Sequence, residues 1–367
     1  MSEHGPMGNA HSTDIEKWPL NPDVDVSWAG PGRHTGEYCL GTSDGKIWII
    51  PPNRPPIGYD FEIIQEAVNG VAFLGSTVAI STRVAVTIVE LPSSGADGLG
   101  RRGQFPFGAH GVIATTHGGF IAPLGLKGLM NTKPITGGEH LVTVTQISNR
   151  PVYYYKTTSA PSPTSGDTIV CAMRRDGIAA TELAPNGFGT ARTLTLPGLD
   201  VVDTCLLKSE SGTQPLVALG KDSTLALFRD VFHDDAPIAI QYEGLKGTGY
   251  RVFGTGDDIF ILTSRALYCM HDLKRLFIEG HSLRDRPIAV QAKAMEAVDA
   301  NLCDDEKLIV VLSDGVTRFD MRTSIGDESL KTTVSSQGSL RPSAVARDWQ
   351  VAEGVSLTTH EQALIAA

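Results

Sequence analysis

Short apolar runs, each closed by a turn signal, recur along this chain from residue 24 to residue 321. The clearest stretch is Glu37–Pro52, EYCLGTSDGKIWIIPP, where Tyr38–Gly41 and Ile47–Ile50 flank Ser43-Asp44-Gly45. Asp-Gly between two runs rich in β-formers predicts a hairpin of type I′, with positive φ at both central residues. Asp167–Ala184 repeats the pattern with Asp176-Gly177, and Lys307–Met321 repeats it with Asp314-Gly315. Gln214–Val231 has Ser223 in the glycine position, and Asp258–Leu273 keeps both runs without the Asp. Gly70–Pro92 and Gly111–Pro134 align with each other in length and in the placing of their apolar runs. That makes about seven copies, roughly 30 to 60 residues apart, which is the mark of a repeat array.

Each hairpin has an inner-strand candidate ahead of it: Val24–Trp28, Val71–Leu74, Val112–Thr115, Val152–Lys156, Val201–Leu207, Tyr250–Phe253 and Ala297–Leu302. Outer-strand candidates are Phe61–Gln65, Gly103–Phe107, Leu141–Ile147, Ala191–Leu196, Pro237–Tyr242 and Pro287–Ala292. Four strands per unit predict an all-β fold, a seven-bladed β-propeller of four-stranded antiparallel blades. A closed ring leaves no long exposed strand edge.

These hairpins resemble WD40-type propeller repeats from Val24 to Met321. The Trp-Asp that ends the third strand in that family is represented by Phe319-Asp320, His271-Asp272 and Phe228-Arg229-Asp230, and the Gly-His element before the inner strand is absent. The resemblance implies a rigid ring that displays variable loops.

The predicted organisation is a polar tail over residues 1–23, a single propeller over 24–351, and a tail or short helix over 352–367. The Pro-rich Pro51–Tyr59 reads as a blade connector, and Ser94–Gly103, Thr157–Gly166 and Ser209–Thr213 read as flexible loops. Asp230–Asp235 and His271–Asp285 read as polar connectors. Three segments compete to complete the last blade: Lys331–Ser335, Val345–Val351 and the N-terminal Ile15–Trp18. Thr358-Thr359-His360-Glu361 fits a capping box ahead of a terminal helix, with a frayed tail as the alternative.

Composition narrows the functional classes. A hydrophobic content of 41% supports a core, and 39 Gly with 21 Pro suit a chain of many turns. No apolar run is long enough to span a membrane, and the first residues carry neither a basic nor an apolar leader region; a cytoplasmic protein without membrane contact is expected. Five cysteines, mainly in strand candidates (Cys39, Cys171, Cys205, Cys269), read as small buried hydrophobes, without metal-ligand spacing. A net charge of −10 disfavours nucleic acid as a partner but leaves room for a local basic face.

Such a face is the least expected feature of an acidic chain. Turns between second and third strands share one end of a propeller with the loops that enter each blade. Reading those turns gives Lys46, Arg83, Lys127, Arg174, Arg175, Lys221 and Arg265. Cations around one rim favour an acidic peptide, a phosphate-bearing ligand or nucleic acid, the last disfavoured by the net charge. The competing explanation is solubility, with Asp44, Asp176, Asp222 and Asp314 cancelling much of the field. No catalytic carboxylate pair, His-x-His or His-Glu-x-x-His occurs, and Gly254-Thr255-Gly256 and His117-Gly118-Gly119 read as turns. No cofactor and no metal are expected. The reading is a non-catalytic interaction scaffold; a hydrolase or lyase with its site at the central channel, and a structural subunit of a larger complex, are the alternatives.

Overall fold

The computed structural model describes residues 16–18 and 25–320, apart from 52–55, 62–63, 93–99, 136–139, 163–165, 208–211, 235–236, 241–244, 246, 256–257, 271–287, 293–296, 305–306 and 313–314. Its strands form seven antiparallel sheets. The first runs Val26–Pro31, Tyr38–Thr42, Ile47–Ile50 and Ile57–Tyr59. The second runs Gly70–Leu74, Thr77–Ser81, Val86–Glu90 and Gly100–Phe105. The third has Ile113–Ala114, Phe120–Pro123, Leu129–Pro134 and His140–Thr145. In the fourth, Lys156–Pro161, Asp167–Ala172 and Ile178–Ala184 are followed by two short strands, Gly187–Phe188 and Arg192–Leu194, which both pair with the third. The fifth has Val201–Leu206, Leu216–Gly220, Leu225–Phe228 and Ile238–Ile240. Gly249–Thr255, Asp258–Thr263, Ala266–Met270 and Ile288–Ala292 make the sixth. Ala297–Asp304, Lys307–Leu312 and Gly315–Asp320 begin the seventh, and Glu16–Trp18 completes it.

The first strand of each sheet touches the first strand of the next, and the seventh returns to the first, so the sheets stand radially around a channel. Of the three segments that compete for the last strand, Glu16–Trp18 pairs with Gly315–Asp320 in the register Glu16 to Arg318 and Trp18 to Val316. Lys331–Ser335, Val345–Val351 and the terminal helix at Thr358–Ala367 lie outside the described residues, as do the 1–15 part of the tail and His271–Asp285.

Alternation of side chains along each strand explains the core. Val170, Ala172, Ile178 and Ala180 of the fourth sheet meet Leu216, Ala218, Ala226 and Phe228 of the fifth. The residues between them in sequence turn the other way: Val217, Leu219, Leu225 and Leu227 meet Ile259 and Ile261 of the sixth sheet. The middle strands of the fifth sheet are therefore sandwiched between two neighbours. That is why second strands read as unbroken apolar runs; Tyr38–Thr42, Asp167–Ala172 and Leu216–Gly220 are buried at every position. Outer strands alternate instead, as at His140–Thr145. Cys39, Cys171 and Cys205 are free and buried. Burial pushes each thiol above its ordinary pKa, Cys205 to about 12.

Several expectations are corrected. The Asp44-Gly45 and Asp176-Gly177 turns are not type I′, and Ser313-Asp314 lies outside the described residues. Gly45 has φ +89° and Gly177 +94°, but among the described residues the only non-glycine residues with positive φ are Arg174 and Ser223. The Thr42 and Gly220 loops share one pattern: the first residue's N–H bonds the carbonyl four residues on, and the N–H of Gly45 or Ser223 returns to the first carbonyl. This is a three-residue loop, a type I turn followed by one left-handed residue. Ser223 takes that conformation at φ +65° and donates its hydroxyl to the Gly247 carbonyl at 2.9 Å.

The outer strand of the first sheet is Ile57–Tyr59, inside the supposed Pro-rich connector, and not Phe61–Gln65. Phe61 and Ile64 leave the strand because they fill the cluster between the first and second sheets. The inner strand of the fourth sheet is Lys156–Pro161, which had read as a flexible loop; Val152 and Tyr154 of the predicted Val152–Lys156 strand lie buried ahead of it. Its polar sequence reflects a wall of the channel, not a loop. Gly100–Gly103, also assigned to a loop, begins the outer strand of the second sheet.

Candidate functional site

The loop between second and third strands repeatedly hydrogen-bonds to the segment that enters the next sheet. Val68 N–H bonds Thr42 O at 3.1 Å, Ala109 N–H bonds Thr82 O at 2.9 Å, Val201 N–H bonds Arg174 O at 3.2 Å and Gly249 N–H bonds Lys221 O at 2.9 Å. Gly125 and Tyr154 exchange a bond in each direction, at 3.2 and 3.1 Å. These clasps place the turns and the entry segments on one face and tie each sheet to its neighbour there.

The predicted turn residues all sit on that face, in different states. Lys46 is ion-paired to Asp44 at 2.8 Å and to Asp60 at 3.5 Å. Its hydrogen bond to Asp44, then the Asp44 and Asp60 charges, hold its ammonium above the ordinary lysine value. Arg174 grips Asp200 through both sides of its guanidinium, Nε to Oδ1 at 3.1 Å and Nη2 to Oδ2 at 3.2 Å, and its Cζ lies 4.8 Å from the Tyr155 ring centre. The ammonium of Lys127 lies 4.8 Å from the Phe107 ring centre. Arg83, Arg175 and Arg265 are exposed, and Lys221 is half-buried. Asp176, beside Arg175, is instead paired with Arg150 at 3.2 Å. Lys46 and Arg174 are thus matched by carboxylates.

Below this face lies a site that sequence reading did not assemble. The inner strands enclose a cavity of about 560 Å³ lined by residues of six sheets, among them Trp28, His110, Lys156, Asp203, Thr204 and Arg251. Lys156 Nζ stands 3.7 Å from Asp203 Oδ2, which also accepts the Val252 N–H at 3.0 Å. Arg251 reaches across to donate to the Ala29 carbonyl at 3.3 Å.

At the mouth, His110 Nε2 lies 2.6 Å from the Tyr153 hydroxyl, and its ring lies against Tyr153 and Tyr155. Burial, and then the charges of Arg83, Arg174 and Lys156, pull the His110 imidazole down to about 4, so it is neutral at pH 7. Burial likewise lifts the Tyr155 phenol to about 12. Among the described residues no three His, Cys, Asp or Glu side chains stand together as a metal site.

Lys156, Asp203 and Arg251 come from three different sheets, so no spacing rule links them. The available signal was positional: each is a charged residue near the start of an inner strand.

No protein-family model matches the chain, and no curated protein matches it. Solved structures do. The chain is similar to the β-propeller domain of Cps50 (Swd1) from Myceliophteria thermophila, with 13% identity, a TM-score of 0.57, and 83% of this chain and 98% of that one covered. It is similar to a structure described as YCF48 bound to D1 peptide, with 10% identity, a TM-score of 0.61, and 89% and 98% covered. A streptogramin B lyase gives 10% identity, a TM-score of 0.60, and 83% and 96%. The fold is an all-β propeller of antiparallel sheets. Identities this low carry the fold and nothing of its use, and these neighbours include both a peptide complex and a lyase. What the propeller does has to be argued from its clasped face and its channel.

Proposed function

We propose that the chain is a seven-bladed, non-catalytic interaction platform that binds an acidic or phosphorylated protein segment on the clasped face. Seven antiparallel sheets among the described residues support that blade number. The observation that carries the binding reading is the convergence of cations there. Arg83, Lys127, Arg175, Lys221 and Arg265 stand on the turns of five consecutive sheets, with Lys156 and Arg251 in the channel beneath, on a protein of net charge −10. A rigid face costs little ordering on association, and local positive potential selects acidic partners over the acidic bulk of the surface. Lys46 and Arg174 brace the face through their pairs with Asp44, Asp60 and Asp200.

The test is direct binding of a fluorescent Glu-rich peptide, its phosphoserine counterpart and a neutral scramble to the purified chain. The acidic peptides should bind, with affinity falling as salt rises. Arg83→Glu, Arg175→Glu and Arg265→Glu together should weaken binding roughly tenfold to a hundredfold, each reversal contributing up to about 1 kcal/mol at an exposed site. Equal affinity in wild type and triple variant, with an unchanged melting temperature, would remove the basis of the reading.

A further inference from the structure

We propose that the outer strand of the third sheet, His140–Thr145, pairs antiparallel with the same strand of a second copy of this chain. This edge lies on the outer rim, apart from the clasped face and the channel, and the pairing uses none of the turn cations. Closing the ring fixes the inner strands only; each sheet still ends at the rim in a strand with one unpaired side. Natural sheets blunt such edges with short strands, charges, Pro or bulges.

Among the described residues the other outer strands follow that rule. Glu16–Trp18, Ile57–Tyr59, Arg192–Leu194 and Ile238–Ile240 have three residues each. Gly100–Phe105 carries Arg101 and Arg102, and its ladder shifts register between Ile88 and Val89. Ile288–Ala292 also meets a register shift, between Leu267 and Tyr268. His140–Thr145 has none of these devices. Its six residues pair with Leu129–Pro134 without a shift, and its sequence, HLVTVT, contains no Asp, Glu, Lys, Arg or Pro.

An antiparallel ladder uses alternate backbone groups on each side of a strand. Among the described residues, Leu141–Thr145 make no backbone–backbone hydrogen bond outside their ladder with Leu129–Pro134, so the outward row is open to another strand. The side chains agree. Leu141 is 52% and Val144 42% exposed, and Ile135, just past the pair of Pro134 with His140, is 45% exposed. Leu141 and Val144 are three positions apart and so point to opposite faces of the sheet. A surface packed on one face would cover only one of them; a strand added along the edge brings neighbours to both.

The occupant follows from the charge and from the sequence of the edge. A net charge of −10 makes two copies repel, so they meet best where the surface carries no charge. Two-fold pairing of a strand with itself sets residues of the same face opposite each other. Centred on Thr143, it puts Val142 against Val144 on one face and Leu141 against Thr145 on the other. Cross-strand pairs of β-branched and aliphatic residues are the ones that stabilise a ladder.

The experiment is sedimentation velocity on the full chain from about 1 to about 100 µM, a range suited to a small interface. Wild type should pass from monomer to dimer and no further. Thr143→Lys and Thr143→Glu each put like charges face to face at the two-fold axis, and each should weaken dimerisation roughly tenfold or more while leaving the circular dichroism unchanged. An equimolar mixture of the two variants should restore a dimer, because opposite charges then face each other across the axis; rescue of that kind separates lost pairing from lost folding. Both variants keep the turn cations, so binding of the Glu-rich peptide should be unaffected. A wild-type chain that stays monomeric throughout overturns the proposal and leaves the edge to a strand of another protein. Dimerisation that neither variant weakens, or that the mixture fails to restore, overturns it as well.

Discussion

Gly45 and Gly75 both have positive φ, +89° and +61°, yet alanine should be tolerated very differently at the two sites. Alanine in the left-handed region costs about 1–2 kcal/mol at either site through contact of its Cβ with its own backbone. At Gly75 that is the whole cost, because a Cβ there meets nothing within 4 Å. At Gly45 the Cβ would overlap the Ile64 carbonyl, and Ile64 belongs to the apolar cluster between the first and second sheets. Relieving that overlap means pushing backbone out of a packed interface, which adds about 1–3 kcal/mol. The expected totals are about 2–5 kcal/mol for Gly45→Ala and about 1–2 for Gly75→Ala. For a domain of roughly 300 ordered residues, an unfolding entropy near 2 cal/mol/K per residue turns these into melting shifts of about 5 °C and about 2 °C. Differential scanning calorimetry of the two variants beside wild type measures both. Shifts equal within error would show that the turn has room for a side chain and that the Ile64 contact does not fix it.

Three other outcomes follow from single contacts. Asp167 is 2% exposed and its Oδ2 accepts both the N–H and the hydroxyl of Thr116, at 2.8 and 2.9 Å, joining the fourth sheet to the third. Asp167→Ala should cost about 2 kcal/mol, less than two charged hydrogen bonds would suggest because Thr116 can take up water, and unchanged urea denaturation would refute the clasp. Phe228, fully buried between the fourth and fifth sheets, should cost about 3–5 kcal/mol on truncation to Ala in the same assay; a loss below 1 kcal/mol would contradict the two-sided packing. For His110 the folded imidazole, at about 4, lies below its ordinary value, so the unfolded chain binds the extra proton. Its contribution is complete above pH ~6.5 and is lost as pH falls toward 4, by at most roughly 3 kcal/mol. The melting difference between wild type and His110→Gln should therefore change across that window and stay flat above it.

The repeat was legible because the physics of a middle strand is local. A strand sandwiched between two sheets must be apolar on both faces, so Leu216–Gly220 and Asp167–Ala172 announce themselves without any partner in view. Inner and outer strands were harder. Lys156–Pro161 is made of Lys, Thr, Ser, Ala and Pro because one side of it borders the channel, and such a composition reads as a loop until its ladder with Asp167–Ala172 is seen. Phe61 misled in the opposite way, since an aromatic beside a Pro-rich stretch looks like a strand but serves as a plug between sheets. The turn residues could be listed from sequence, but not their partners. Asp60 and Asp200 lie outside the turns and reach Lys46 and Arg174 only through the fold.

The clasped face and the channel also differ in how their electrostatics should respond to salt, and that difference follows from where the cations sit. Arg83, Arg175 and Arg265 are exposed on turns, where interactions beyond a Debye length of about 8–10 Å are screened at moderate salt. Lys156 and Asp203 are only 15% and 12% exposed and stand on inner strands fixed by their sheets. Charges in that setting are screened far less, and their geometry is set before any ligand arrives. On the proposed reading, an acidic segment gathered by the turns would bind with a steep salt dependence, whereas a contribution from Lys156 in the channel would add a shallow one. A steep slope for the Glu-rich peptide that the turn reversals abolish and Lys156→Met leaves intact would put the binding on the turns; a slope flattened equally by Lys156→Met would extend the basic surface into the channel.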